Sequence, residues 1–123
     1  RELTEIPDEI PVNVTWIVLN NNLITTIGSN EFTKFTYLRL IRLNNNNISI
    51  IHKDAFVGLV NLERLYLSDN ELEEAPFLQN ISTLETLRLS SNTIRTFPYD
   101  ALDGLNNLKY LYLDVGVLEC DCS

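Results

Sequence analysis

Residues 62–72 read LERLYLSDNEL, and the spacing of leucine and asparagine in this stretch returns along the chain. Aligning the chain on this spacing gives repeats that begin at residues 14, 38, 62, 84 and 108. The starts are 24, 24, 22 and 24 residues apart, so the third repeat is two residues shorter than the others. A period of about 20–29 residues predicts a solenoid, because each coil buries its apolar face only against the next coil.

Each repeat opens with alternating apolar residues, such as Leu65 and Leu67 in the third repeat. This alternation is typical of a short strand with one buried face. Because every coil contributes one strand at the same position, we expect the strands to stack into one parallel sheet. A phenylalanine or leucine late in most repeats fills the core from the opposite, convex wall. The short third repeat predicts a thinner convex wall at residues 76–82.

An asparagine follows the strand in each of the first four repeats, where the chain turns away from the sheet. A carboxamide offers donors and an acceptor, so it can satisfy backbone groups of neighbouring coils that burial would leave unpaired. In the fifth repeat Gly116 stands at this position. The sequence therefore predicts a structural asparagine ladder made of Asn22, Asn46, Asn70 and Asn92.

These repeats resemble those of the extracellular leucine-rich-repeat family over essentially the whole chain. Modules of variable lymphocyte receptors, Slit-type proteins and Toll-like receptor ectodomains are the most similar, and small matrix proteoglycans share the same features. The resemblance implies an α/β fold, a right-handed solenoid shaped like a horseshoe. Its concave side would be a parallel β-sheet, and its convex side would consist of loops, turns and short helical segments. The resemblance also implies an extracellular protein, either secreted or part of a cell-surface ectodomain.

The resemblance divides the chain into three parts. Residues 1–13 look like the end of an N-terminal cap, and residues 14–107 hold four repeats, at 14–37, 38–61, 62–83 and 84–107. Residues 108–123 look like a last repeat that runs into a truncated C-terminal cysteine cap. Its two cysteines, Cys120 and Cys122, are separated by one residue, a spacing that strains a mutual disulfide. We therefore expect their disulfide partners outside this chain.

The strand positions that alternate with core residues face outward on the concave side, the surface that repeat proteins use for binding. The sole tryptophan, three of the five tyrosines and three of the six arginines fall at these positions. These residue types are enriched at binding hot spots, although β-propensity alone also places aromatic residues on exposed sheets. The sequence predicts a ligand-binding surface made of Trp16, Arg42, Arg64, Tyr66, Arg88, Tyr110 and Tyr112.

The predicted function is non-enzymatic extracellular recognition of a protein or an anionic surface glycan, with immune recognition of microbes as one form of it. The alternative is a structural or adhesive protein of the matrix or cell surface that acts through protein–protein assembly, for which a homodimer would be the mark. A net charge of −8 argues against a nucleic-acid partner. No apolar stretch has the length that membrane insertion of this segment would need.

Other candidate chemistry is sparse. His52 is the only histidine, and no cysteine or serine partner is fixed beside it, so no enzyme activity is predicted. One histidine and two cysteines do not supply the four ligands of a structural zinc site, and the four separated glycines form no phosphate loop, so no metal and no cofactor are expected. Three Asn-x-Ser/Thr triplets make Asn13, Asn47 and Asn80 candidates for N-glycosylation.

Overall fold

The chain folds as a solenoid of parallel strands in a computed structural model that describes residues 2–98 and 100–114. One strand of the main sheet comes from each repeat, and neighbouring strands are 24, 24, 22 and 24 residues apart. The predicted fold, a leucine-rich-repeat type of solenoid with a parallel sheet, is confirmed. The main sheet contains, in spatial order, β1 (Trp16–Val18), β3 (Leu40–Arg42), β5 (Arg64–Tyr66), β6 (Thr86–Arg88) and β7 (Tyr110–Tyr112).

The middle residue of each main-sheet strand points towards the core. The register pairs Ile17 with Ile41 and Leu65 with Leu87, so equal positions of successive repeats stack on one another, and all four are buried. The fifth member of this row, Leu111, is 42% exposed although the repeat pattern places it in the core. Among the described strands only β6 lies beside β7, so no described strand lies on the other side of Leu111.

Turns form the convex side in place of the expected short helical segments, since the described residues contain no helix. Single hydrogen bonds from a backbone N–H to the carbonyl three residues earlier close these turns, as between Phe35 and Phe32 at 3.0 Å. The turns do not extend into helices because the chain must return to the sheet within each coil. Phe32 and Phe56 stack behind them with ring centres 5.5 Å apart, and both are buried.

A second, two-stranded parallel sheet, β2 (Thr26–Ile27) with β4 (Ile50–Ile51), lies on the flank of the first two coils. Next to it, the N–H of His52 donates to the carbonyl of Ile27 at 2.9 Å. The corresponding residue of the third repeat is Pro76, which has no N–H to donate. No described strand continues this sheet past β4, and parallel pairing resumes at a bridge between Glu74 and Thr96, although Pro98 occupies the same position of the fourth repeat.

A groove of about 740 Å³ opens on the convex side, between the second and the short third repeat. Leu59 and Phe77 are among its lining residues. It lies where the sequence predicts a thinner convex wall.

The residues before the first repeat pack onto it. Ile6 is buried in the common core, and the N–H of Leu3 donates to Asn22 Oδ1 at 2.9 Å. In return the N–H of Leu23 donates to the carbonyl of Leu3 at 2.8 Å. This segment covers the end of the core as a first coil does, and its identity as a cap stays a prediction. Cys120 and Cys122 lie outside the described residues.

The residue before each ladder asparagine has a left-handed backbone conformation. The φ angles are 61° at Asn21, 59° at Asn45, 58° at Asp69 and 57° at Ser91. Asparagine and aspartate adopt this region more readily than other residues with a side chain, because their short polar groups bond to the local backbone. Ser91 is therefore the least suitable of the four residues for its backbone.

Replacing Ser91 by asparagine is expected to raise the free energy of unfolding by about 0.5–1 kcal/mol, because asparagine tolerates this backbone better. Ser90→Asn is the matched control: Asn20 and Asn44 occupy the corresponding positions, and the backbone of Ser90 is not left-handed. Thermal unfolding of both variants measures the difference. An equal shift in both variants would show that the backbone of Ser91 carries no strain.

Candidate functional site

The main sheet presents two rows of outward side chains on the face opposite the core, here called the concave face. The parallel register places equal positions of successive strands side by side. The first row contains Trp16, Leu40, Arg64, Thr86 and Tyr110. The second row contains Val18, Arg42, Tyr66, Arg88 and Tyr112. All seven residues predicted to bind a ligand lie in these two rows.

Four residues of the second row form a continuous stack across four neighbouring strands, the arginine–tyrosine ladder: Arg42, Tyr66, Arg88 and Tyr112. The guanidinium carbon of Arg42 lies 5.0 Å from the ring centre of Tyr66. That of Arg88 lies 5.1 Å from Tyr66 and 4.6 Å from Tyr112. These distances fall within the ~6 Å range of cation–π attraction. The ladder therefore orders side chains that would be mobile on an ordinary sheet.

The repeat period explains why these side chains meet. Strands of a sheet lie about 4.8 Å apart, so residues at equal positions of adjacent coils are within reach of each other. Tyr66 and Arg88 are 22 residues apart rather than 24, yet they pair in register. The third repeat is shortened on its convex side, after Leu72, so the concave strands keep their alignment.

The concave face carries positively charged arginine side chains, although the chain as a whole is acidic. Arg42, Arg64 and Arg88 lie on three adjacent strands, and all three are exposed. Within the described residues no carboxylate lies in ion-pairing distance of these guanidinium groups. Asp114, which follows the last strand, instead accepts a hydrogen bond from the N–H of Ser91 at 2.8 Å. The guanidinium N–H groups are thus available to an external anion.

An apolar patch lies at the β1 end of the same face, here called the apolar corner: Trp16, Val18 and Leu40. Trp16 is 68% exposed and Val18 is 53% exposed, while Leu40 is half-buried. Such exposed apolar clusters mark interaction sites on soluble proteins. The sequence analysis singled out Trp16, but it did not predict the apolar corner or the stacking of the arginine–tyrosine ladder. The signal for the stacking was the alternation of arginine and tyrosine at one position of successive repeats.

The asparagine ladder holds the coils together below this face. Asn46 Nδ2 donates to the carbonyl of Leu19 in the preceding coil at 3.1 Å and to that of Leu43 at 3.0 Å. Its Oδ1 accepts from the N–H of Ile24 at 3.0 Å. Asn70 and Asn92 repeat this pattern, and Asn22 joins the first coil to Leu3. This ladder is structural, because its amides are fully used within the chain.

The remaining candidates from the sequence lie apart from the concave face. His52 is exposed, and its Nδ1 accepts a hydrogen bond from the N–H of Asp54 at 3.1 Å. No group of three or more possible metal ligands occurs among residues 2–98 and 100–114. No helix in the same residues could span a membrane. Asn13, Asn47 and Asn80 are exposed, and their glycosylation stays a prediction.

Comparisons with known proteins agree with this architecture. A family model described as leucine rich repeat matches residues 12–72 and 75–115. Keratocan of Gallus gallus is 42% identical over 78 residues, and keratocan of Homo sapiens is 43% identical over 78 residues. Each alignment covers 62% of this chain and 22% of the keratocan.

A solved structure of TLR13 in complex with ssRNA13 has a similar fold, with a TM-score of 0.81 and 35% sequence identity. The alignment covers 92% of this chain and 16% of the TLR13 chain. The chain thus spans about a fifth of the length of these relatives.

Proposed function

The chain belongs to the leucine-rich-repeat family, and we propose that it is a non-enzymatic extracellular recognition module. Its ligand, a protein or an anionic surface glycan, would bind to the concave face. Keratocan and TLR13 are extracellular leucine-rich-repeat proteins, which supports the location. The fold shared with TLR13 supports a receptor role, of which immune recognition of microbial surfaces is the specific form.

The observation that carries this proposal is the arginine–tyrosine ladder. Its two arginines, Arg42 and Arg88, are exposed, have no ion-pair partner in the described residues and lie over the rings of Tyr66 and Tyr112. The long arginine side chains lose little conformational entropy when a ligand binds, because the stacking already restrains them. The ladder supplies the charged groups and the aromatic area that dominate binding energy at interfaces.

The double variant Tyr66→Ala with Arg88→Ala tests the proposal. The unmodified chain is expected to bind at least one of immobilised heparin, lipopolysaccharide or an array of extracellular proteins, and more weakly at high salt. The double variant should bind about tenfold more weakly or worse and still unfold cooperatively, because it removes the centre of the ladder and no core residue. Surface plasmon resonance and thermal unfolding measure the two quantities.

The matched control removes the same residue types elsewhere. Tyr37 and Arg95 are exposed and lie outside the two concave rows, so Tyr37→Ala with Arg95→Ala should leave binding unchanged. Binding that survives the concave double variant, or that is lost equally in the control, would place the binding surface elsewhere on the solenoid.

A nucleic-acid ligand is disfavoured, although the TLR13 structure contains ssRNA13. The net charge of −8 repels a polyphosphate. Single-stranded nucleic acids also need open aromatic faces on which bases stack. Guanidinium groups from the strands on either side lie over the Tyr66 ring, so a base that stacks on this ring competes with them.

A structural or adhesive role through self-association is the second candidate function. Among the described strands β1 has a neighbour on one side only, and it exposes Trp16 and Val18 beside this edge. Open edges with apolar side chains are prone to pair with another chain. A concentration-dependent dimer in light scattering, without any bound ligand, would favour this role.

A further inference from the structure

We infer that the ligand of the concave face is an acidic segment of a protein that carries an apolar side chain at one end. This inference rests on the proposed function and specifies the chemistry of the partner. Two neighbouring features of the face support it: the arginines of the ladder with Arg64, and the apolar corner.

The arginines define where the negative charges of the segment lie. Arg42 and Arg88 are separated by the one strand that carries Tyr66, which places them about 10 Å apart at the usual strand spacing. Acidic residues three apart on a polyproline II segment lie on one face and span about 9 Å. Acidic residues seven apart on a helix also span a similar distance. Arg64 lies on the strand between them and would meet an intervening acidic or polar group.

Stacking favours carboxylates as the anions. A guanidinium attracted to the face of an aromatic ring keeps its N–H groups for hydrogen-bond acceptors. The guanidinium of Arg88 lies over the rings of both Tyr66 and Tyr112, so both neighbours restrain it. A guanidinium edge matches the two oxygens of a carboxylate in a bidentate pair.

The apolar corner distinguishes a protein from a glycan. Trp16, Val18 and Leu40 offer a branched aliphatic surface beside an aromatic ring, at the β1 end of the row of arginines. An apolar amino-acid side chain would remove this surface from water. A sulfated or carboxylated glycan is polar along its length and would leave Val18 and Leu40 uncovered. An acidic protein segment with one apolar end complements both features at once.

Selection of random 12-residue peptides displayed on phage against the complete chain tests this inference. The recovered peptides are expected to share acidic residues three or seven positions apart, with an apolar residue at one end. A synthetic peptide of the recovered consensus should bind the variant Arg42→Gln with Arg88→Gln about tenfold more weakly or worse, because its carboxylates lose their partners. Selection against Trp16→Ala should retain the acidic residues and lose the apolar one.

The control variant Arg95→Gln removes an exposed arginine outside the concave rows and should bind the consensus peptide unchanged. Peptides that lack acidic residues but lose binding in the concave variants would overturn this inference and leave the proposed function standing. Peptides that bind all concave variants equally would overturn both. If heparin displaces the consensus peptide and its own binding is unaffected by Trp16→Ala, the ligand is a glycan and the inference is overturned. A selection in which peptides are enriched no more on the unmodified chain than on the variant Arg42→Gln with Arg88→Gln would also overturn it.

Discussion

Asn70→Ala is expected to lower the free energy of unfolding by about 2–4 kcal/mol. Asn70 is 8% exposed, and its Oδ1 is the partner of the N–H of Ile48 at 2.9 Å. Alanine leaves this buried N–H without an acceptor, which alone costs about 1–3 kcal/mol. The carbonyls of Leu43 and Leu67 each lose one of their two asparagine donors and keep the other. Urea denaturation at equilibrium measures the loss.

Asn61→Ala is the matched control for this variant. Asn61 Nδ2 also donates to a carbonyl of the preceding coil, that of Thr36, at 3.0 Å. This hydrogen bond is exposed, so water replaces the lost donor and the cost should stay below about 1 kcal/mol. Equal losses in the free energy of unfolding of the two variants would mean that burial of the Asn70 amide adds nothing to stability.

Gly104→Ala is the second variant with a large expected effect, a loss of about 2–5 kcal/mol in the free energy of unfolding. The backbone φ of Gly104 is 81°, a conformation that costs a residue with a Cβ about 1–2 kcal/mol. The added Cβ would also lie 2.5 Å from Asn80 Oδ1, 3.1 Å from its Cα and 3.2 Å from its N. Asn80 cannot withdraw freely, because its N–H donates to the carbonyl of Asp103 at 2.9 Å. Displacing it adds about 1–3 kcal/mol.

Gly58 separates these two contributions. It occupies the corresponding turn of the second repeat with a φ of 87°, but a Cβ there would meet no atom within 4 Å. Gly58→Ala should therefore lose only the backbone part, about 1–2 kcal/mol. Thermal unfolding of the two variants gives the difference. If Gly58→Ala proves as destabilising as Gly104→Ala, close packing against Asn80 makes no contribution.

The repeat pattern of the sequence was sufficient to predict the parallel sheet and the strand positions. The regular return of leucine every 22–24 residues leaves one arrangement in which all coils bury their apolar faces. Each strand position follows from this period and from the alternation of side chains. The site residues could be assigned to one face for the same reason, without knowledge of any contact between them.

The turns of the convex side, where short helical segments were expected, and the second sheet were less accessible to sequence reasoning. The convex turns consist of few residues, and their hydrogen bonds depend on the return of the chain to the next strand. Pro76 lacks the N–H that its counterpart His52 donates, but only the structure shows that this N–H joins two coils. The exposure of Leu111 likewise depends on whether a coil packs on its outer side.

The amino-acid order alone therefore specifies the period, the core rows and the face on which Arg42, Tyr66, Arg88 and Tyr112 lie, because these depend on spacing along the chain. Only the folded chain shows that these four side chains stack and that the amides of Asn46, Asn70 and Asn92 bridge carbonyls of adjacent coils. Such contacts join residues more than twenty positions apart. Their geometry depends on how the coils stack, and no local preference of the chain encodes that stacking.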